Sequence, residues 1–262
     1  MRMVFRDKKN SDYWEERWEN SGVDENGFKN QDMYPIKYAN ELIKDGDKIL
    51  EAGCGAGRVY FHYKQRGFDI KGIEYSKSAV KNIQKKDPTS EVIEGSVSDM
   101  PYNDNSFDSI LAFGLYHNLE NKRELQKAFN ETKRVLKQGG AIVASVRFDS
   151  LENNIVENII KKRSGGKIFE KFHRWHFSLE DIVQFLGNDM NVEKVYYARN
   201  VSFLFKYDIF REKSLKASNF QESKARSSGF ELNLLGTILD NFLHNFFPKK
   251  FSNLLIVVAR KT

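Results

Sequence analysis

The run Ile49-Leu50-Glu51-Ala52 leads straight into Gly53-Cys54-Gly55-Ala56-Gly57-Arg58. A short apolar stretch that stops at three alternating glycines predicts a buried strand, a tight loop and a helix, the arrangement that brings bare backbone up to a ligand in an α/β fold. The glycines allow a sharp turn and leave no Cβ to hold a ligand away. Glu51 sits just ahead of them. A glycine loop alone is a weak sign, and its meaning depends on the pattern of the remaining chain.

Strands and helices alternate from Lys48 onward. Strands are expected at 48–52, 69–74, 91–94, 106–113 and 141–146, with helices at 58–66, 76–86 and 124–136; Gln138-Gly139-Gly140 is read as the C-cap of the last of these. Ala141 to Val146 is continuously apolar, as a strand covered on both faces should be. Such alternation implies right-handed crossovers and a mainly parallel sheet, with ligands at the carboxyl ends of the strands.

Each strand end carries polar chemistry. Glu74 closes the second strand, 21 residues beyond Gly53, where a carboxylate can accept two hydrogen bonds from a ribose. Ser98-Asp99-Met100 comes after the third, with an acid for an exocyclic amine and a thioether for a flat ring. Gly114-Leu115-Tyr116-His117-Asn118 comes after the fourth, where a substrate would meet a cofactor.

The loop also discriminates between cofactors. A dinucleotide fingerprint needs G-x-G-x-x-G, and the third glycine position is Arg58 here. The spacing E-x-G-x-G-x-G instead resembles the first motif of class I S-adenosylmethionine-dependent methyltransferases. GIEYS (72–76), SVSDMPYNDNSFDSI (96–110) and RVLKQGGAIVASV (134–146) are similar to the later motifs of that family, most closely its type 11, small-molecule branch.

The resemblance implies a Rossmann-like sheet of seven mainly parallel strands with helices on both faces, an antiparallel last strand and a helical insert before it. It also implies S-adenosylmethionine as cofactor, contacted by Glu51, Gly53, Cys54, Gly55, Gly57, Glu74, Tyr75, Ser98, Asp99, Met100, Phe113 and Gly114. Because the cofactor already carries a sulfonium leaving group, Cys54 is a poor candidate nucleophile. If the acceptor is a hydroxyl or ammonium, a base must remove its proton, and His117 is the first choice.

The flanks are less familiar. Ser11 to Glu19 predicts a short helix in which Tyr13 and Arg17, and Trp14 and Trp18, are i,i+4 pairs. It is either stapled to the main domain by its tryptophans or a lid that brings Trp14 and Arg17 to the cofactor. Gly22 to Asn30 reads as a mobile loop, and Met33 to Lys44 as a helix. Past the fifth strand, a helix is expected at 151–162, and Tyr116, His173, Arg174 and His176 are candidates for binding a polar acceptor. Ser178 and Glu180 are read as capping the helix 179–186, and a metal site is not indicated. Strands at 191–198 and 253–260 enclose about 50 residues, including SFLFKYDIF and a helix at 231–247 whose Leu232, Leu235, Leu239, Phe242, Leu243 and Phe246 mark one face.

The expected organisation is an N-terminal helical lid (1–45), a cofactor-binding core (46–200), a cap or interaction insert (201–250) and the last core strand (251–262). With Cys54 as the one cysteine, no intrachain disulfide forms. No apolar run approaches the ~18 residues of a membrane span, and the first residues lack a signal-peptide core. A soluble cytoplasmic enzyme is expected, monomer or homodimer, that methylates O or N of a small or glycan-linked polar acceptor and has no nucleic acid partner. A lipid- or quinone-directed enzyme at a membrane surface, or a scaffold subunit without turnover, is the alternative. The net charge is +6, and from Val201 onward ten Lys and Arg stand against five Asp and Glu, which suits a solvated basic face or an anionic partner.

Overall fold

The structure, a computed structural model, describes residues 1–21, 34–216 and 230–262. The loop expected at Gly22 to Asn30 and the polar stretch around residues 217–229 lie outside the described residues. The chain divides into two compact units, the first formed by Met1–Val146, Phe169–Tyr196 and Ile256–Thr262 and the second by Arg147–Ile168 and Tyr197–Leu255.

The first unit opens with β1 (Arg2–Arg6), α1 (Asn10–Ser21) and α2 (Tyr34–Ala39). Then come β2 (Lys48–Ala52), α3 (Arg58–Lys64), β3 (Asp69–Glu74), α4 (Lys77–Lys86), β4 (Val92–Glu94), β5 (Phe107–Phe113), α5 (Lys122–Val135) and β6 (Leu136–Arg147). Beyond α6 (Leu151–Arg163), which belongs to the second unit, lie β7 (Lys171–His176), α7 (Leu179–Leu186), β8 (Met190–Ala198) and β9 (Leu254–Lys261).

Seven strands form one sheet in the order β4-β3-β2-β5-β6-β9-β8, mostly parallel with an antiparallel end. β2 pairs in parallel with both β3 and β5 and is therefore central. Ile49, Leu50, Ala52, Ile110, Leu111 and Ala112 are fully buried, and each such Ile or Leu contributes roughly 1.5–3 kcal/mol. The chain steps from β2 outward through β3 to β4 and then returns to β5 on the other side. The carboxyl ends of β2 and β5 thus flank the point where the winding reverses, the place where open α/β sheets bind ligands.

Three local expectations are corrected. α5 ends at Val135, and Leu136 is already extended, so Gln138-Gly139-Gly140 is not its C-cap but part of β6. Leu136 pairs with Phe107 and Ala141 with Ser109, leaving extra residues that bulge out of the ladder, with Gly139 at φ +71°. The capping partner of Ser178 is Asp181 rather than Glu180, because the side chain that returns to the Ser178 N–H stands three residues on. Arg2–Arg6 forms an unanticipated strand, paired antiparallel with β7 in a separate two-stranded sheet.

The second unit contains α6, short 3-10 turns at Phe203–Lys206, Asp208–Phe210 and Lys213–Leu215, and the helix Leu234–Phe246. Phe205 and Leu215 form a small core with Val201, Phe230 and Leu232 packed against it. Polar contacts hold the rest. Glu152 Oε1 accepts from Phe203 N–H at 2.9 Å, Arg199 pairs with Asp240 at 2.5 Å, and Asn153 Nδ2 donates to the carbonyls of Phe148 and Asn253.

Candidate functional site

The glycine loop is built by backbone geometry. Gly53, Gly55 and Gly57 have φ of +72°, +53° and +73°, values that other residues reach only with strain. Gly53 N–H donates to Ile73 O at 2.8 Å, Gly57 N–H to Cys54 O at 2.9 Å, and Gly57 is the N-cap of α3. The loop is therefore tied to β3 at one end and delivered into a helix at the other.

Glu74 fastens it further. Its Oε2 accepts Gly55 N–H at 2.8 Å and its Oε1 accepts Ser76 N–H at 2.9 Å. Burial raises its pKa, and these backbone donors oppose the rise. Glu51 is deeper still: burial pushes its carboxyl up to about 8 against the pull of Tyr60 N–H and Arg58, and its Oε2 has no hydrogen-bond partner. Cys54 Sγ lies close to Gly72, and burial beside the two acids holds the thiol in its neutral form.

Helix α1 packs onto this loop. A Cβ built on Gly55 would come within 2.9 Å of Trp18 Cζ2. Trp14 stacks on Trp18 with centroids 5.6 Å apart, and the Arg17 guanidinium lies 5.1 Å from both rings while donating to Tyr13 OH. Glu15 Oε1 accepts from Ser78 Oγ at 2.6 Å and Trp18 O accepts from Asn82 Nδ2 at 2.8 Å, docking α1 on α4. Those latches carry no sequence signal, since Ser78 and Asn82 read simply as polar positions of an amphipathic helix.

The end of β5 meets the loop from the other side. A Cβ on Gly53 would come within 2.9 Å of Leu115 Cδ1. Gly114, at φ +75°, donates its N–H to Ser145 Oγ at 3.0 Å and accepts from Asn118 Nδ2 at 2.6 Å. Asn10 Nδ2 in turn holds Asn118 O at 2.9 Å. Tyr34 stands edge-on to Phe113 with its OH 3.5 Å from Ser145 Oγ. His117 is buried in the turn Tyr116–Asn118, with Cε1 3.9 Å from a Cβ built on Gly114. Sequence reasoning missed Ser145, Tyr34 and Asn10.

Several expected residues are placed elsewhere. Tyr116 is fully buried, stacked on Phe129 at 4.1 Å with its OH on Thr132, so it serves the core instead of an acceptor. Met100 is only 3% exposed, and its segment is held by Glu131 and Arg134, so it offers no open face to a ring. Asp99 and Tyr75 are exposed, while Ser98 Oγ donates to Glu124 O. On β7, His176 is buried against Arg2 at 2.8 Å, and Arg174 contacts His173 at 2.7 Å. His173 reaches the α1 cluster, edge-on to Tyr13 at 6.2 Å. Among the described residues no cluster of three His, Cys, Asp or Glu is placed to hold a metal ion.

Residues 50–144 match the family model for a methyltransferase domain. Residues 50–144 thus carry a class I, type 11 S-adenosylmethionine-dependent methyltransferase domain. The chain is 34% identical over 102 residues to a demethylmenaquinone methyltransferase of Paenarthrobacter aurescens (strain TC1), covering 38% of this chain and 39% of that protein. The chain thus spans about two fifths of that relative's length. An uncharacterized protein of Methanocaldococcus jannaschii is 26% identical over 243 residues, covering 89% of this chain and 84% of its own. A crystal structure of a SAM-dependent methyltransferase from Methanosarcina mazei shares the fold, with a TM-score of 0.58 at 14% identity over 88% of this chain and 98% of that one. The methyltransferase cradle suits its cofactor. The buried Glu51 Oε2, which has no hydrogen-bond partner, offers a polar anchor, and Gly114 leaves open backbone, an added Cβ there meeting nothing nearer than His117 Cε1 at 3.9 Å.

Proposed function

We propose that the chain methylates a small acceptor that presents a flat ring with an ionisable hydroxyl or amine, and that His117 takes up the acceptor's proton. One observation carries this reading: an aromatic rim gathers around the ends of β2 and β5 beside the buried His117. Trp18 lies on Gly55, Trp14 on Trp18, Tyr13 beside Trp14, Tyr34 against Phe113, and His117 below Gly114. Flat aromatic walls bury a ring well and leave orientation to a few polar groups.

When bound, S-adenosylmethionine supplies a methyl group on a sulfonium, so the chemistry asked of the protein is alignment and exclusion of water. In this reading the backbone of Gly53 and Gly55, with Glu51 and Glu74 behind it, holds the cofactor, and Asp99 and Ser98 border its adenine end. Gly114, held by Ser145 and Asn118, sets the distance between cofactor and acceptor. Helix α1 with Trp14 and Arg17 closes over both as a lid. His173 and Arg174 border the entrance, while Tyr116 and His176 act as scaffold. The name of the Paenarthrobacter relative supports a quinone-type ring.

Calorimetry with S-adenosylmethionine, then labelled methyl transfer to a panel of naphthoquinols, catechols, aliphatic amines and sugars, tests the proposal. Cofactor binding with transfer to the ring acceptors is expected. The variant His117→Ala should lose about 10²–10⁴-fold in kcat with its cofactor affinity unchanged. Transfer confined to the aliphatic acceptors would overturn the ring, and an unchanged kcat in His117→Ala would remove the base.

A further inference from the structure

The helix Leu234–Phe246 turns the wrong side outward for a water-facing surface. A helix on a water-facing surface normally buries its apolar stripe and exposes its polar one. Here the packed side carries Gly236, Asp240 and His244, with Leu239 and Leu243 half-buried beside them. A Cβ on Gly236 would come within 2.7 Å of Phe210 O, Asp240 pairs with Arg199, and His244 Nδ1 lies 3.1 Å from Ser252 Oγ. These residues recur every four positions. The residues left exposed are Leu234, Leu235, Ile238, Phe242 and Phe246, also one stripe; Leu234 is 78% and Phe246 70% exposed. Ile209 and Phe247 of the same unit are exposed as well.

The charge of the chain is just as one-sided. The second unit holds fourteen Lys and Arg against eight Asp and Glu, while the first holds 28 of each. The whole net charge of +6 therefore belongs to the unit that carries the apolar stripe. Lys249 and Lys250 are exposed directly after the helix, and Lys213 and Lys216 are exposed in the same unit. No described helix is long and apolar enough to cross a membrane.

We infer that the second unit docks on an anionic lipid surface, with Leu234, Leu235, Ile238, Phe242 and Phe246 entering the interface and the surrounding lysines facing the headgroups. Apolar insertion and attraction of basic residues to an anionic leaflet are the two components of interfacial binding. A second copy of this chain is the poorer occupant, because self-association through this face would bring two units of charge +6 together. The inference is independent of which acceptor is methylated.

Flotation of the full chain with vesicles tests it, using phosphatidylcholine alone and phosphatidylcholine mixed with phosphatidylglycerol. The protein should float with the anionic vesicles at low salt, stay behind with the neutral ones, and be released by high salt. Phe242→Ser with Phe246→Ser, and separately Lys249→Glu with Lys250→Glu, should each weaken binding by about tenfold or more while the thermal unfolding midpoint stays put. Leu235→Asn, at a separate exposed position, should act in the same direction and guards against a misfolded double variant. Three outcomes overturn the inference: a chain that stays in the soluble fraction with anionic vesicles at low salt, serine variants that float like the parent, or a dimer in light scattering that the serine variants convert to monomer.

Discussion

Trp18 packs on Gly55 so closely that a Cβ on the glycine would stand 2.9 Å from Trp18 Cζ2. This contact seats α1 on the loop after the central strand, beside the Glu15–Ser78 and Asn82–Trp18 hydrogen bonds that dock the helix on α4. It also gives Gly55 two separate reasons to be glycine, the other being its φ of +53°.

Gly55→Ala should cost about 1–2 kcal/mol from the left-handed backbone alone, with a further loss from the clash. Unfolding in urea should show the combined loss, and Trp18→Ala in the same chain should return the clash portion while leaving the backbone portion in place. Strictly additive losses in the double variant would mean that the two residues do not meet.

Glu51 gives a pH dependence with a definite sign. Its pKa in the folded protein is about 8 against 4.5 for the free group. Its contribution to stability is therefore intact below about pH 4.5 and is lost as pH rises through about 8. Glu51→Gln has no proton to lose. The stability of the glutamine variant relative to the parent should rise between pH 5 and pH 8 by an amount on the order of a few kcal/mol. Denaturant titrations at several pH values measure this, and a difference that does not vary with pH would contradict it.

Ser145 holds the Gly114 N–H through its hydroxyl at 3.0 Å. Ser145→Ala removes that acceptor and leaves the more distant Ser145 carbonyl at 3.2 Å. A loss of about 1 kcal/mol of alignment corresponds to a several-fold drop in kcat/KM for the acceptor. Ser145→Thr, which keeps the oxygen, should recover most of it. Equal rates in the alanine variant and the parent would show that Gly114 needs no such tether.

In the second unit, the Arg199–Asp240 pair is largely buried, with side chains 15% and 13% exposed. Ser202 Oγ also donates to Asp240. Asp240→Ala strands the guanidinium and should cost about 3–5 kcal/mol, seen as an earlier denaturation midpoint. A change within the scatter of surface variants would mean that water reaches the pair.

The elements legible in the sequence were those whose signal is local. Lys48–Ala52 and Asp69–Glu74 have the expected bounds, because a glycine turn stands just ahead of each run, at Gly46 and at Gly67. The glycine spacing and Arg58 pointed to the family for the same reason: the loop's conformation is written in three closely spaced glycines. By contrast, Arg2–Arg6 has mixed composition and becomes a strand only because β7 supplies its hydrogen bonds; Arg2 and His176 are 174 positions apart.

Residue type marked chemistry in the candidate site, and burial then sorted it. Tyr116, a candidate for binding the acceptor, and His117, the candidate base, are neighbours, yet stacking on Phe129 draws Tyr116 into the core while His117 stays beside Gly114. The sequence by itself determined the strand order's raw material, the glycine loop and the cofactor it suits, since each depends on residues a few positions apart. Which polar groups gather around that loop, and which apolar helix face is left uncovered, was decided by tertiary structure alone. Both depend on contacts between segments far apart in the chain, and no local pattern encodes those.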